Sequence, residues 1–171
     1  MAKSENKKTK TYTLGAVTAC TLMGTLEDRI ALNALNNGSS VKIETGKEYH
    51  FTDLVQNEME IENLENGEKV NTYLTKLYDK ATGECFHSLS KGLGNFFFRL
   101  FTDCGNFEGA RLCVMVESVP LEDGHRTATA RVTGIEYPRD TQNNGVMVEG
   151  ATTPTAPALN SAEDESETTT A

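Results

Sequence analysis

The residues of this chain best suited to chemistry are aromatic rings interleaved with cations. They lie in VNTYLTKLYDKATGECFHSLSKGLGNFFFRLF, from Val70 to Phe101. Lys76, Lys80, Lys91 and Arg99, with Lys69 just before them, are opposed there only by Asp79 and Glu84. Tyr73, Tyr78, Phe86 and the run Phe96 to Phe98 lie among these cations. Rings stack on bases, and ammonium or guanidinium groups meet phosphates. A sheet carrying both is a surface for single-stranded nucleic acid. The expected stacking platforms are Tyr78 and Phe86, with Tyr73 as an alternative. Lys76, Lys80, Lys91, Arg99, Arg126 and Arg131 are expected to track the sugar-phosphate backbone. The same rings would also fill a core. The helical spacing of Phe97 and Phe101 points inward, and for Tyr78 and Phe86 both readings stay open.

Other chemistries lack their residues. There is no GxxxxGK[ST] loop, no GxGxxG after a strand, no HExxH and no GxSxG. Gly92-Leu93-Gly94 stands between strand and helix but lacks a third glycine, so it reads as a turn. Ser88 or Ser90 near Lys91 has no oxyanion motif beside it. Glu58, Glu60 and Glu62 point to one side of a strand and read as a solvated acidic face. Cys20, Cys85, Cys104 and Cys113 form no C-x-x-C pair, and His50, His87 and His125 have no helpful spacing to them. Buried free thiols in a reducing compartment are the expectation. No metal, cofactor or catalytic activity is expected.

The elements that must position the rings and cations follow from periodicity. Val70 to Asp79 is rich in β-branched and aromatic residues and reads as a strand. Asp79 to Gly83 is a hairpin turn whose glycine can take positive φ. Glu84 to Ser90 returns, with Cys85, His87 and Leu89 on one face and Phe86, Ser88 and Ser90 on the other. After Lys91 the period changes: Leu93, Phe97, Leu100 and Phe101 form a helical stripe. Upstream, Thr25 caps a helix to Leu35, with Glu27 and Asp28 in its first turn and Leu26, Ile30, Ala34 and Leu35 as its apolar stripe. Thr11 to Gly24 is either a strand or irregular. Short strands are expected at Ser40 to Glu44, Lys47 to Val55 and Asn57 to Asn63. Downstream, Arg111 to Val119 reads as a strand buried on both faces. Arg126 to Tyr137 alternates, with Ala128, Ala130 and Val132 inward.

Charge divides the chain of 171 residues unevenly around its net -9. Residues 1–10 hold Lys3, Lys7, Lys8 and Lys10 against Glu5 and read as a flexible basic arm. Residues 141–171 hold Glu149, Glu163, Asp164, Glu165 and Glu167 with no base, and have almost nothing to bury. That composition predicts a disordered acidic tail. Between them, residues 11–140 form one body, itself acidic, which leaves room only for a local basic groove. No apolar run of about 18 residues exists, and no long apolar segment follows the N-terminus. A cytoplasmic protein is expected, in the host cytoplasm if the chain is viral.

The order of elements is helix, short strands, a helix after the central hairpin, then two more strands. That spacing predicts a mainly β, five-stranded OB-fold-like barrel. The layout, with YLTKLYDKATGECFHSLSKGLGNFFFRLF as its strand–turn–strand–helix part and an acidic tail behind it, resembles the single-stranded DNA-binding proteins of bacteriophages. The resemblance implies sequence-tolerant binding of single strands during replication or recombination. It also implies that Glu163, Asp164, Glu165 and Glu167 compete with DNA for the groove and recruit replication proteins. Related bacterial tails end in a hydrophobic residue, whereas this chain ends Thr168-Thr169-Thr170-Ala171. Competition by charge survives that difference, and recruitment by the last residue does not. The rival expectation is a non-catalytic phage or plasmid protein-interaction module built on the same body. Oligomeric state does not follow from the sequence.

Overall fold

A computed structural model describes residues 9–138. Residues 1–8 of the expected arm and the acidic tail, with Glu163, Asp164, Glu165 and Glu167, lie outside the described residues. Lys10, assigned to the arm from sequence, already pairs with Asn63 as the first residue of a strand.

The described chain is mainly β, with eight strands and two α-helices. In order they are β1 (Lys10–Cys20), α1 (Leu26–Asn37), β2 (Val41–Lys42), β3 (Glu48–Phe51), β4 (Asp53–Asn63), β5 (Lys69–Tyr78), β6 (Cys85–Ser88), α2 (Lys91–Cys104), β7 (Arg111–Pro120) and β8 (Arg126–Glu136). The first sheet runs β1-β4-β5-β6-β2 and the second β3-β7-β8. Only Thr52 separates β3 from β4, so one bent stretch of chain feeds both sheets. Thr52 holds the bend by donating its N–H to the Tyr78 carbonyl at 2.8 Å and its hydroxyl to Asp53 at 2.7 Å.

The expected closed barrel is not formed. The free edge of β6 is taken by β2, with Val41 opposite Phe86, and among the described residues β8 pairs only with β7. Helix α2 packs on β8 instead, and Gly92 sits so close to the Ala128 carbonyl that a Cβ there would overlap it. The main core lies between the sheets and under α2, built on Phe51, Leu54, Leu77, Leu93, Phe97, Val114 and Val116. A smaller cluster joins Leu22, Ala31 and Leu35 to Val55 and Cys85 on the opposite face of the first sheet.

The hairpin and α2 form where their patterns place them. Ser90 caps α2 by accepting from the Leu93 N–H at 3.3 Å. Thr25 and Asp28 form a reciprocal capping box on α1. The face of α1 differs from expectation. Ala31 and Leu35 are buried, whereas Leu26 and Ile30 are 63% and 61% exposed. The sheet beneath α1 offers a small apolar patch, Val55 and Cys85 with the half-buried Cys20 and Tyr78, so a narrow stripe suffices. On β8, Val132 is exposed rather than inward: the register shifts between Cys113 and Val114, and the edge strand curls away from cover.

Candidate nucleic-acid interface

Of the nine residues expected to form one groove, Phe86 joins the core and the other eight separate into three groups. Lys76 and Tyr78 lie on the β5 face that α1 covers. Tyr78 is half-buried against the small cluster under α1. Lys76 donates its ammonium to the Leu35 carbonyl at 3.1 Å and to Asn36 at 3.3 Å. It caps the negative end of the α1 dipole, where a cation is favoured. Lys80 ties the hairpin tip to the other end of α1, 2.8 Å from Asp28 and 3.6 Å from Asp53. Partial burial pulls the Lys80 ammonium down, and its pairing with Asp28 and Asp53 more than restores it, so its pKa is raised. The hydrogen bond from Lys80 and that from the Thr25 N–H hold the Asp28 carboxyl below the usual range.

Phe86 is no stacking platform. It is only 8% exposed and meets Tyr49 edge to face, ring centroids 5.1 Å apart. Both faces of β6 are covered, so Cys85 on the other side is buried as well. Arg126 and Arg131 lie on β8, away from α1. Arg126 grips Ser118 through its hydroxyl at 2.9 Å and its carbonyl at 2.8 Å. Arg131 pairs with Glu117 at 2.8 Å. Both are exposed and spend their donors within the β7–β8 hairpin.

The third group stays together. Tyr73 is half-buried beneath α2, and a Cβ on Gly94 would lie 2.5 Å from its ring. The carbonyl of Gly94 accepts from the buried amide of Gln56 at 2.8 Å, which fixes α2 over β4 and β5. Leu93 and Phe97 face the core. Helical geometry then turns Lys91, Asn95, Phe98, Arg99 and Thr102 outward, and all five are exposed. Among the described residues, neither Lys91 nor Arg99 takes part in an ion pair. Phe98, 40% exposed, precedes Arg99 and lies about two turns along the helix from Lys91. Sequence reasoning left Phe98 out of the site although the signal was present. Once Phe97 is inward at a period of 3.6, its neighbour must face solvent.

Beside this helix face, a cleft of about 450 Å³ is lined by Tyr73, Lys91, Thr13, Asn71, Glu58 and Glu60. Glu60 is paired with Lys69 at 3.0 Å. Two residues of the acidic face foreseen on β4, Glu58 and Glu60, thus line the cleft. Carboxylates there repel phosphate but accept hydrogen bonds from amino groups. The cleft suits a base or another neutral, donor-bearing group, with anions kept to the outer face of α2.

The four cysteines are free. Burial raises the thiol pKa of Cys20, Cys85 and Cys113, and Glu136 and Glu48 push Cys113 higher still. None of the three is an activated nucleophile. Comparison of the chain with protein-family models, with curated proteins and with solved structures finds no match.

Proposed function

We propose that this protein binds single-stranded DNA without strong sequence preference, in the manner of the bacteriophage proteins that serve replication or recombination. The observation that carries the reading is the outward face of α2. It carries Lys91, Phe98 and Arg99 on its solvated side, with Lys91 at the cleft over Tyr73 and the other two about two turns further along the helix. Rings and cations on one solvated face are the elements of sequence-tolerant single-strand binding. The strand path supports the same reading. Following β6, β5, the bent β4–β3 stretch, β7 and β8 gives the neighbour order of a five-stranded OB fold, opened between β6 and β8. The site is smaller than the sequence suggested: this reading leaves out Lys76, Tyr78, Lys80, Phe86, Arg126 and Arg131. The acidic tail competes with DNA for the same cations and offers replication proteins a docking segment.

Titration of a labelled oligothymidine at two salt concentrations tests the proposal. Binding should fall with salt and prefer single over double strands. Absence of salt-sensitive binding to single strands would remove the assignment.

A second reading is a non-catalytic protein-interaction module, and one feature favours it. Tyr12, Leu14 and Val70 are more than half exposed beside Ile61 on the outer face of the first sheet, beyond the reach of α1. A contiguous apolar surface of this kind suits a protein partner. The same titration decides between the two, because this reading requires no affinity for oligothymidine.

A further inference from the structure

The outer face of the second sheet gathers three side chains that the sequence scatters. His50 on β3 stands opposite Cys113 on β7. Glu136 ends β8 beside them. The Cys113 Sγ lies 3.2 Å from His50 Nδ1 and 4.0 Å from Glu136 Oε1. Nδ1 lies 3.9 Å from the same carboxylate oxygen. The three donor atoms thus lie within 4.8 Å of one another. A tetrahedral Zn²⁺ with bonds of about 2.0–2.3 Å needs neighbouring donors about 3.3–3.7 Å apart. The observed triangle needs adjustments of only about half an ångström to reach that spacing.

The orientation of the imidazole is an independent sign. His50 Nε2 lies 3.0 Å from Glu48 Oε1, and a carboxylate only accepts. Nε2 therefore carries the hydrogen. In the neutral ring, Nδ1 then presents its lone pair toward the Cys113 thiol. A carboxylate that fixes the second ring nitrogen is the usual outer partner of a metal-bound histidine. Glu48 is held in turn by the Thr133 hydroxyl at 3.0 Å. Glu136 is held by Arg111 Nη1 at 2.9 Å through its other oxygen, Oε2, which leaves Oε1 to face the triangle. Leu112 and Val114 point the other way into the core, so the three donors sit on the solvent side, where an ion can enter.

We propose that His50 Nδ1, Cys113 Sγ and a Glu136 oxygen bind one Zn²⁺ on the outer face of the second sheet, with water in the fourth position. The donor set of nitrogen, sulfur and oxygen suits Zn²⁺ over Mg²⁺ or Ca²⁺, which take oxygen alone. On binding, the Sγ–H bond breaks as the S–Zn bond forms, and the proton passes to solvent. The ion would fasten β3, β7 and β8 together at one point. This site is separate from the α2 face and stands whether or not DNA binds there.

Titration of the tag-free, metal-free full chain with Co²⁺ tests the site. One equivalent should produce a thiolate-to-cobalt band in the near ultraviolet and the visible bands of a four-coordinate ion, both bleached by Zn²⁺. Absence of the thiolate band in the unaltered protein overturns the proposal without need of any variant. Cys113→Ser should abolish the band. Cys104→Ser, at an exposed thiol, should leave it intact. The reverse pattern overturns the assignment. His50→Ala and Glu136→Gln should each weaken Co²⁺ binding at least tenfold. Glu48→Gln should weaken it about 10–100-fold while keeping the band, as loss of an outer partner does. Unchanged affinity in all three overturns the ligand set.

Discussion

Arg111 at the start of β7 grips Asp79, the residue after β5, with Nη2 2.6 Å from Oδ2 and Nε within 3.1 Å of both carboxylate oxygens. This forked pair joins the two sheets, and Arg111 extends it to Glu136 at 2.9 Å. Asp79 is fully buried, and its remaining capacity is met by the Ala81 N–H and the Thr82 hydroxyl. Arg111→Ala strands a buried carboxylate and should cost about 3–5 kcal/mol. Urea denaturation measures it, and a loss under 1 kcal/mol would make the pair incidental.

The same pair sets an acid dependence. Burial pushes the Asp79 carboxyl up, but the hydrogen bonds from Arg111 and from the Ala81 N–H pull it further down, so its folded pKa is lowered. A lowered folded pKa contributes stability above the unfolded value, about 3.9, and loses it as pH falls through the folded value. Stability should drop below about pH 4, and Asp79→Asn should flatten that drop. Equal acid slopes in the two proteins would contradict this.

Gly94 is required for fit rather than flexibility. Alanine at an exposed helix position gains about 1 kcal/mol over glycine. Here the added Cβ would strike the Tyr73 ring, and overpacking costs about 1–3 kcal/mol. Gly94→Ala should therefore lower the melting temperature, and Tyr73→Ala in the same chain should recover part of the loss. A more stable single variant would disprove the close approach.

The cations should divide by role. Lys91→Ala with Arg99→Ala should weaken oligothymidine binding and reduce the salt slope by about 1.4, at about 0.7 per phosphate contact. Phe98→Ala should cost about 1–3 kcal/mol of binding if a base stacks there. Lys76→Ala should leave binding unchanged and cost about 0.3–1 kcal/mol of stability, as loss of a helix C-terminal cation does. Weaker binding in the Lys76 variant alone would return the interface to the α1 side.

Removal of residues 142–171 should tighten DNA binding at low salt and matter little at high salt, where charge competition is screened. Equal affinity of the two forms at low salt would exclude competition by the tail.

Local pattern carried the hairpin, the Thr25 cap of α1 and α2 into view, because each is decided within a dozen residues. The same pattern misjudged α1. Leu26 and Ile30 are apolar and correctly spaced, yet nothing on the sheet lies under them. The groove failed for a similar reason. Lys76 and Lys80 end on groups 40 to 52 residues away, a pairing that only the packing of α1 on β5 creates. Phe86 is lost to the core because β6 is covered on both sides, a fact about the neighbours of β6 and not about β6. The Asp79–Arg111 clasp and the His50–Cys113–Glu136 triangle were invisible for the same cause: strands β3, β5, β7 and β8 bring together residues that have no spacing rule in the chain.

The bend at Thr52 has a thermodynamic consequence. Since β3 and β4 are one uninterrupted run of backbone, a loss of order in either sheet pulls on the other. Neither half has a strand to spare for surviving alone. The body should therefore melt in a single cooperative transition, with calorimetric and van't Hoff enthalpies in agreement.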